Sequence, residues 1–456
     1  MSVEDAFWQT HWLTLFGWLA GVAAVAKMMR ERRKPGNILA WFFLIGFVPL
    51  VGVGLFLLFG GRKYAGLAKR KRQVRELAEA VAERDGPRGA LAGNTLRLHP
   101  NGEVALQALL REIANAQRSI YLTVYAWLPD RVGRAVLEAL AEKAAAGVRV
   151  QCLVDALGSR PLKGKHVREL REAGGRFAWF TPVWSLRGRY VNLRNHRKAF
   201  IFDEQRAIVG GQNIDERFMG FEPSPERFVD YSVQVAGPAV AELLHDFVCD
   251  WCFATRDPVE GYRALANAAP TPCGSAEVEV IPSGPDTADD RVWELVANAV
   301  QQARESILAV TPYFVPDEML LYSLLLRARA GCRVEVFLPL KSNQPLADLA
   351  RSRYLRQLHA AGVHFWMVRG PTVHGKLLIT DKQCAIFGSP NLDQRSFFLN
   401  YETALTTSHP PTIDVLTAWA ERLRAMATPF AETSETEARW PRLLAEDATH
   451  LLEPLL

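Results

Sequence analysis

The sequence predicts an α/β fold: two matching repeats forming a pseudo-twofold body of mixed sheets flanked by helices, with a two-helix membrane hairpin in front. Three observations carry this. Strand-like and helix-like runs alternate in the same order through two stretches of the chain. The polar motifs of those stretches recur at a constant offset of 178 residues. Long charge-free apolar runs are confined to the first 61 residues. A length of 456 residues suits two or three domains, and the divisions fall at 1–61 (hairpin), 62–95 (basic linker helix), 96–272 (first repeat) and 273–456 (second repeat with a helical tail).

Hydrophobic residues at 49% and charged residues at 23% fit packed globular cores. Residues 1–85 hold 13 Lys/Arg against 7 Asp/Glu, while the whole chain carries only +5, so the body is slightly acidic. A basic excess beside apolar runs points to anionic lipid headgroups. The body lacks the basic surplus of a nucleic-acid binder, which argues against nucleic acid as a partner. Six cysteines in a chain this long make no disulfide scaffold, and Cys249-Asp-Trp-Cys252 reads as two small residues near a helix end.

In the hairpin, Trp12 to Ala26 and Ile38 to Gly61 contain no charge, and Trp8, Trp12 and Trp41 lie where interfacial aromatics sit. The acidic start (Glu4, Asp5) and the second run argue against a cleaved signal peptide. The expectation is a multi-pass protein of the inner cell membrane, in contact with the lipid bilayer. Basic residues at 30–34 and 62–75 would flank opposite ends of the second span, so the positive-inside rule pulls both ways on orientation. Residues 63–84 are expected to lie along the headgroups.

The repeat begins with Arg118-Ser-Ile-Tyr-Leu-Thr-Val-Tyr-Ala-Trp-Leu-Pro-Asp130 against Glu305-Ser-Ile-Leu-Ala-Val-Thr-Pro-Tyr-Phe-Val-Pro-Asp317. Each is a buried strand before an Ala/Leu-rich helix. Gly147-Val-Arg-Val-Gln-Cys-Leu-Val154 then matches Gly331-Cys-Arg-Val-Glu-Val-Phe-Leu338, with Gly closing the helix before the next strand.

The third matching pair carries chemistry. His196-Arg-Lys198-Ala-Phe-Ile-Phe-Asp203 pairs with His374-Gly-Lys376-Leu-Leu-Ile-Thr-Asp381, and Gly210-Gly211-Gln-Asn213 with Gly388-Ser389-Pro-Asn391. In a strand, residues two apart share a face, so each His and Lys project together. The Asp falls at the strand end, in a turn, and a hairpin returns the Gly-x-x-Asn loop beside the His and Lys. Two halves facing each other would make one site with two His, two Lys and two Asn. Such a set suits a phosphodiester: ammonium and amide groups neutralise its oxygens, one imidazole attacks phosphorus and the other protonates the leaving alkoxide. The chemistry calls for no metal and no cofactor.

These motifs resemble the phospholipase D superfamily from about Leu96 to about Ser408. Asn195-His-Arg-Lys198, Asp250-Trp251 and Asn391-Leu-Asp-Gln-Arg-Ser-Phe-Phe-Leu-Asn-Tyr-Glu402 resemble bacterial cardiolipin synthases within it. The resemblance implies a phosphohistidine mechanism with His196 as nucleophile and His374 as acid and base. It implies an acidic residue behind each imidazole, matched by Asp230 in the first half and Glu402 in the second. Asp203 and Asp381 become structural turn residues, and Gly210, Gly211, Gly388 and Ser389 a phosphate-binding loop. The implied reaction joins two phosphatidylglycerol molecules into cardiolipin and glycerol. Three positions depart from the family pattern: Gly375 where Ser or Thr is commoner, Gly211 where the wider superfamily has Ser, and Phe228-Val before Asp230 in place of Trp-Arg. A hydrolytic phospholipase D would use the same residues with water as acceptor. A nuclease is opposed by the near-neutral body, and a non-catalytic membrane scaffold by the intact motifs.

Overall fold

The computed structural model describes residues 65–83, 89–181, 193–287, 289–433 and 440–450, with 35–48, 51–53, 56 and parts of 12–29. The first repeat supplies β1 (Leu91–His99), β2 (Ser119–Val124), β3 (Arg149–Asp155), β4 (Arg176–Phe180), β5 (Ala199–Phe202), β6 (Arg206–Gly210) and β7 (Ser232–Ala236). The second supplies β8 (Ala276–Ser283), β9 (Ser306–Val310), β10 (Phe314–Val315), β11 (Arg333–Pro339), β12 (His364–Val368), β13 (Leu377–Thr380), β14 (Cys384–Gly388), β15 (Leu392–Asp393), β16 (Glu402–Thr407) and β17 (Ala427–Pro429). β1 begins inside the stretch 62–95 that the sequence reads as linker.

The expected separate sheets are one. Fifteen strands run in the order β17-β12-β11-β9-β13-β14-β16-β8-β1-β7-β6-β5-β2-β3-β4, and only β10 and β15 pair apart. Apart from β17, the order reads the same outward from the β8–β1 seam, which is pseudo-twofold symmetry expressed as strand order. Within each half, β2–β3–β4 and β9–β11–β12 are parallel and need crossover helices. Arg131–Ala145 and Glu318–Arg329 follow Asp130 and Asp317, whose carboxylates accept the first-turn N–H groups of Gly133 and Leu320. Every residue of β2 is buried, as its unbroken Ile-Tyr-Leu-Thr-Val run requires. Antiparallel hairpins β5–β6 and β13–β14 sit next to these strands and carry the motif residues.

The largest apolar cluster belongs to both halves: Tyr231, Val235 and Trp251 share it with Val278, Phe387, Tyr401 and Trp419. Trp419 comes from the tail segment 412–456, for which the sequence offers no role. It lies on helix Pro410–Arg424, donates its indole N–H to Pro100, and packs on Tyr231 at 4.5 Å. A Cβ at Gly375 would meet that indole at 2.4 Å, so Trp419 occupies the space that Ser or Thr would need. Helix Trp440–His450 is tied to the body through Glu446, which takes Arg356, and through Arg442, which donates to the Ser352 hydroxyl.

The membrane arm differs from expectation. Helix Pro35–Phe47 spans 13 residues, and among the described residues no helix is long and apolar enough to cross a membrane. Much of the second apolar run lies outside the described residues. Ala24 of the first run and Met28 just beyond it pack against Ile45 and Phe56 of the second, while Trp18, Leu19, Phe43 and Phe47 are exposed. The linker helix, Ala65–Val81, does not simply lie along headgroups. It packs on the buried helix Val240–Thr255, and Lys71 and Arg75 are themselves buried. That same helix holds Cys249 and Cys252 as buried free thiols.

Candidate active site

The hairpin strands open after the motif lysines, at Ala199 and Leu377, so each His-x-Lys lies in the extended approach to its strand. What holds that approach is the opposite half. Asn195 bridges to Tyr401 and Val373 to Val229, with His196 N–H bonded to the Tyr401 carbonyl (2.9 Å) and His374 N–H to the Val229 carbonyl (2.8 Å). At the far ends, Asp203 and Asp381 have φ of 51° and 52° in their turns, and each carboxylate accepts three successive backbone N–H groups, Gln117 to Ser119 and Arg304 to Ser306. Both aspartates stand away from the histidines as turn residues.

The carboxylates behind the imidazoles cross over. Glu402 of the second repeat meets Nδ1 of His196 at 2.9 and 3.0 Å, and Asp230 of the first repeat meets Nδ1 of His374 at 2.8 Å. The sequence places one acid in each repeat but does not show that each serves the histidine of the other. Burial pushes His196 down to about 4, against the pull of Glu402. Glu402 is held down to about 2: burial opposes ionisation, but His196, Lys198 and the Ser389 hydroxyl outweigh it. Near neutrality this pair is therefore a neutral imidazole donating Nδ1–H to a carboxylate, which leaves the Nε2 lone pair available. The second pair is different. Burial raises Asp230 to about 6 in spite of Lys376, and His374 is lowered by burial and by Lys376, whose Nζ is 2.8 Å from Nδ1 and 3.1 Å from Nε2. One pair is settled as ion and neutral ring, while the other exchanges a proton near pH 6.

The lysines match across the halves: Lys198 donates to the His196 carbonyl and Lys376 to the His374 carbonyl, each at 2.6 Å. Burial lowers both, Lys376 to about 8, against the pull of Glu402 and Asp230, so an arriving phosphodiester adds counter-charge that favours the ammonium forms. His196, His374, Asn213 and Asn391 line one cavity of about 490 Å³. Asn213 accepts from Ala126 N–H through Oδ1, which fixes the side chain. Ser389 donates to Glu402 and receives the Thr403 N–H. In the first half the equivalent hydroxyl is absent for a steric reason: a Cβ at Gly211 would lie 2.8 Å and 3.0 Å from the Asp230 oxygens. Phe228, another departure, stacks on His374 at 6.0 Å.

Behind the site lies a buried charge cluster. Arg197, between His196 and Lys198, binds Asp250 at 2.7 Å and donates to the carbonyls of Glu402 and Ser283. Asp250 also takes the Asn195 amide (2.8 Å) and Lys71 (2.7 Å), and Lys71 continues to Asp286 (3.1 Å). Arg75 reaches Asp286 and Asp246. Three cations and three carboxylates thus join the linker helix to the residue between His196 and Lys198. Burial alone pushes the Asp286 carboxyl up, but Lys71, Arg75 and Arg197 together pull it far below the usual range.

Sequence reasoning named Asp250 only as a likeness and missed Lys71, Arg75 and Asp286, which no repeat marks. It also stopped its motif too early. Asn213-Ile-Asp215-Glu-Arg217 and Asn391-Leu-Asp393-Gln-Arg395 continue the match at the same offset of 178, and both arginines line the cavity. Tyr125, edge-on to His196 at 5.1 Å, has no sequence signal.

Residues 109–247 and 296–424 match the family model described as cardiolipin synthase, PLD-like domain. The chain is 31% identical over 428 residues to the major cardiolipin synthase ClsA of Bacillus subtilis (strain 168), covering 86% of this chain and 87% of that protein. It is 30% identical to cardiolipin synthase A of Pseudomonas syringae pv. syringae (strain B728a), covering 89% and 90%. Among solved structures, phosphatidylserine synthase of Haemophilus influenzae Rd KW20 has the same fold, with TM-score 0.64 at 16% identity over 85% of this chain and 100% of that one.

Removing Lys71 leaves two buried carboxylates short of a partner, which costs about 3–5 kcal/mol. Lys71→Met therefore lowers the melting temperature. Depressed carboxylates stabilise the fold above their unfolded pKa and lose that contribution as pH falls. The variant, with that depression relieved, unfolds at higher pH than wild type in an acid titration followed by circular dichroism. Gly211→Ala forces the Asp230 carboxylate aside, and kcat falls about 10-fold or more with little change in melting temperature.

Proposed function

The chain belongs to the cardiolipin synthase family of phospholipase D-like proteins and is a phosphatidyltransferase acting on phospholipids; we propose that its substrates are two phosphatidylglycerol molecules, converted to cardiolipin and glycerol. The observation that carries the mechanism is the pair of crossed histidine–carboxylate contacts around one cavity, with burial lowering His196 and raising Asp230. In the first step His196 Nε2 attacks phosphorus. The bond from phosphorus to the glycerol oxygen breaks, and the extra proton of the Asp230–His374 pair passes to that oxygen. Glu402 takes the Nδ1–H of the developing imidazolium and stabilises its charge. Lys198, Lys376 and the amides of Asn213 and Asn391 neutralise the non-bridging oxygens as charge shifts.

In the second step the hydroxyl of another phosphatidylglycerol enters where glycerol left. His374 removes its proton, its oxygen bonds to phosphorus, and the bond from phosphorus to His196 breaks. Cardiolipin forms and both pairs return to their starting protonation. No other reactant enters the balance.

The arm supports a lipid setting. Trp18, Leu19, Phe43 and Phe47 are exposed apolar side chains on it, which suits embedding in the inner cell membrane beside the substrates. The linker helix that follows the arm in the chain is held to the body through Lys71 and Arg75.

Purified full-length protein in vesicles of labelled phosphatidylglycerol is expected to yield cardiolipin and free glycerol, with His196→Ala giving neither. Phosphatidic acid from wild type would mean hydrolysis instead, and no product at all would remove the lipid assignment. The pH dependence has a defined sign. His196 attacks as a neutral imidazole with its pKa near 4, so kcat/KM falls as pH drops through that value. The Asp230–His374 pair must hold its extra proton, present below about 6 and lost above, so kcat/KM also declines on the alkaline side. Asp230→Asn is expected to displace the alkaline limb and leave the acid limb in place, read from kcat/KM against pH.

A further inference from the structure

Arg217 and Arg395 occupy the same place in their repeats, and both line the catalytic cavity. The phosphoryl group under attack already has two lysines and two asparagines. The two arginines have different neighbours, and the difference follows the two histidines. Arg217 is built into the wall of His374. The adjacent Phe218 meets that ring edge-on at 4.7 Å, and the Arg217 carbonyl accepts the N–H of Phe228, which stacks on His374. The charge of Arg217 is among those that lower His374. Arg395 acts electrostatically on Tyr125, whose ring meets His196 at 5.1 Å.

The Arg217 guanidinium is held from one edge. Asp215, fully buried, accepts from Nε and Nη2, each at 2.9 Å. Nη1 has no protein partner among the described residues, and the side chain is 51% exposed. Asp130 is the other carboxylate that acts on it. A guanidinium fixed on one edge with donors left on the other is a site for an oxyanion, because its planar fork presents two parallel N–H bonds.

In-line displacement sets which oxyanion. The nucleophile and the exchanging alcohol occupy opposite sides of phosphorus, so the acceptor hydroxyl arrives beside His374, the residue that takes its proton. An acceptor that is itself a phosphodiester carries its own phosphate one glycerol unit beyond that hydroxyl, on the same side. We propose that Arg217, positioned by Asp215, is the subsite for the phosphate of the acceptor lipid, separate from the lysine pair that holds the phosphoryl group in transfer. The proposal rests on the transfer reading above with His196 as nucleophile. It makes the acceptor class anionic phospholipids with a free primary hydroxyl, and gives the matched arginine, Arg395, no part in choosing the acceptor.

The test compares acceptors on one donor. Wild type, Arg217→Gln and Arg395→Gln, each full-length in phosphatidylglycerol vesicles, are assayed for cardiolipin formation. Each is also assayed for incorporation of labelled glycerol, and of labelled glycerol 3-phosphate, into lipid. For Arg217→Gln the cardiolipin-to-glycerol ratio of kcat/KM is expected to fall at least tenfold, and the glycerol 3-phosphate-to-glycerol ratio to fall with it. The Asp215→Asn/Arg217→Gln double variant leaves no buried carboxylate unpaired, and it should show the same ratios if the single variant folds poorly. A ratio within twofold of wild type overturns the proposal, whether or not the separate rates drop. A fall for cardiolipin but not for glycerol 3-phosphate assigns Arg217 to the acyl chains and overturns it too. A selective fall in Arg395→Gln would place the subsite on the opposite side. Wild type that makes only phosphatidic acid overturns both this proposal and the transfer reading, and that failure is recognised from the wild-type products alone.

Discussion

Glu402 and Asp230 each reach across the pseudo-twofold axis to the imidazole of the other repeat, and most of the architecture serves those two contacts. A carboxylate orients a ring only when both are held within a few tenths of an ångström. Neither histidine is held that way by its own half, since each lies in extended chain before its strand begins. The halves must therefore be locked in register. The β8–β1 seam, the shared core and the two bridges at Asn195 and Val373 provide that lock. A single repeat would have its His and Lys but not the acid behind the ring.

Near-symmetry of the backbone coexists with asymmetry of charge. Ser389 reinforces Glu402 as an anion, whereas Gly211 provides no hydroxyl for Asp230 and instead leaves room for it. Burial with fewer donors raises Asp230, while burial with more donors leaves Glu402 low. One amino-acid difference in a matched loop thus contributes to the different charge environments of His196 and His374. The lysines, lowered by the same burial, gain their charge most easily when an anion enters. The site is closest to its working electrostatic state with substrate present.

The buried Lys71, Arg75, Arg197, Asp246, Asp250 and Asp286 cluster ties the linker helix to the motif backbone. Buried ion pairs add little net stability over apolar packing, but an unpaired member is costly, so such clusters favour one arrangement over its alternatives. Here the chosen arrangement fixes the linker helix against the catalytic body.

Much was legible in advance. The strand and helix order, the turns at Asp203 and Asp381 and the paired His, Lys and Asn residues follow from local periodicity and from motifs spaced 178 apart, while Asp230 and Glu402 came only from the family resemblance. Such features depend on near neighbours in the chain, and a repeat states them twice. The crossed pairing was not legible, because spacing within a repeat says nothing about which repeat a side chain faces. Nor was the destination of the linker helix, whose Lys-Arg-Lys-Arg run reads as facing lipid headgroups until Asp250 and Asp286, some 180 to 215 residues away, supply partners for Lys71. The sequence by itself determined the chemical groups and their local geometry. Only the tertiary structure decided which groups meet, because burial, register across the seam and charge pairing over long separations set the protonation of each histidine.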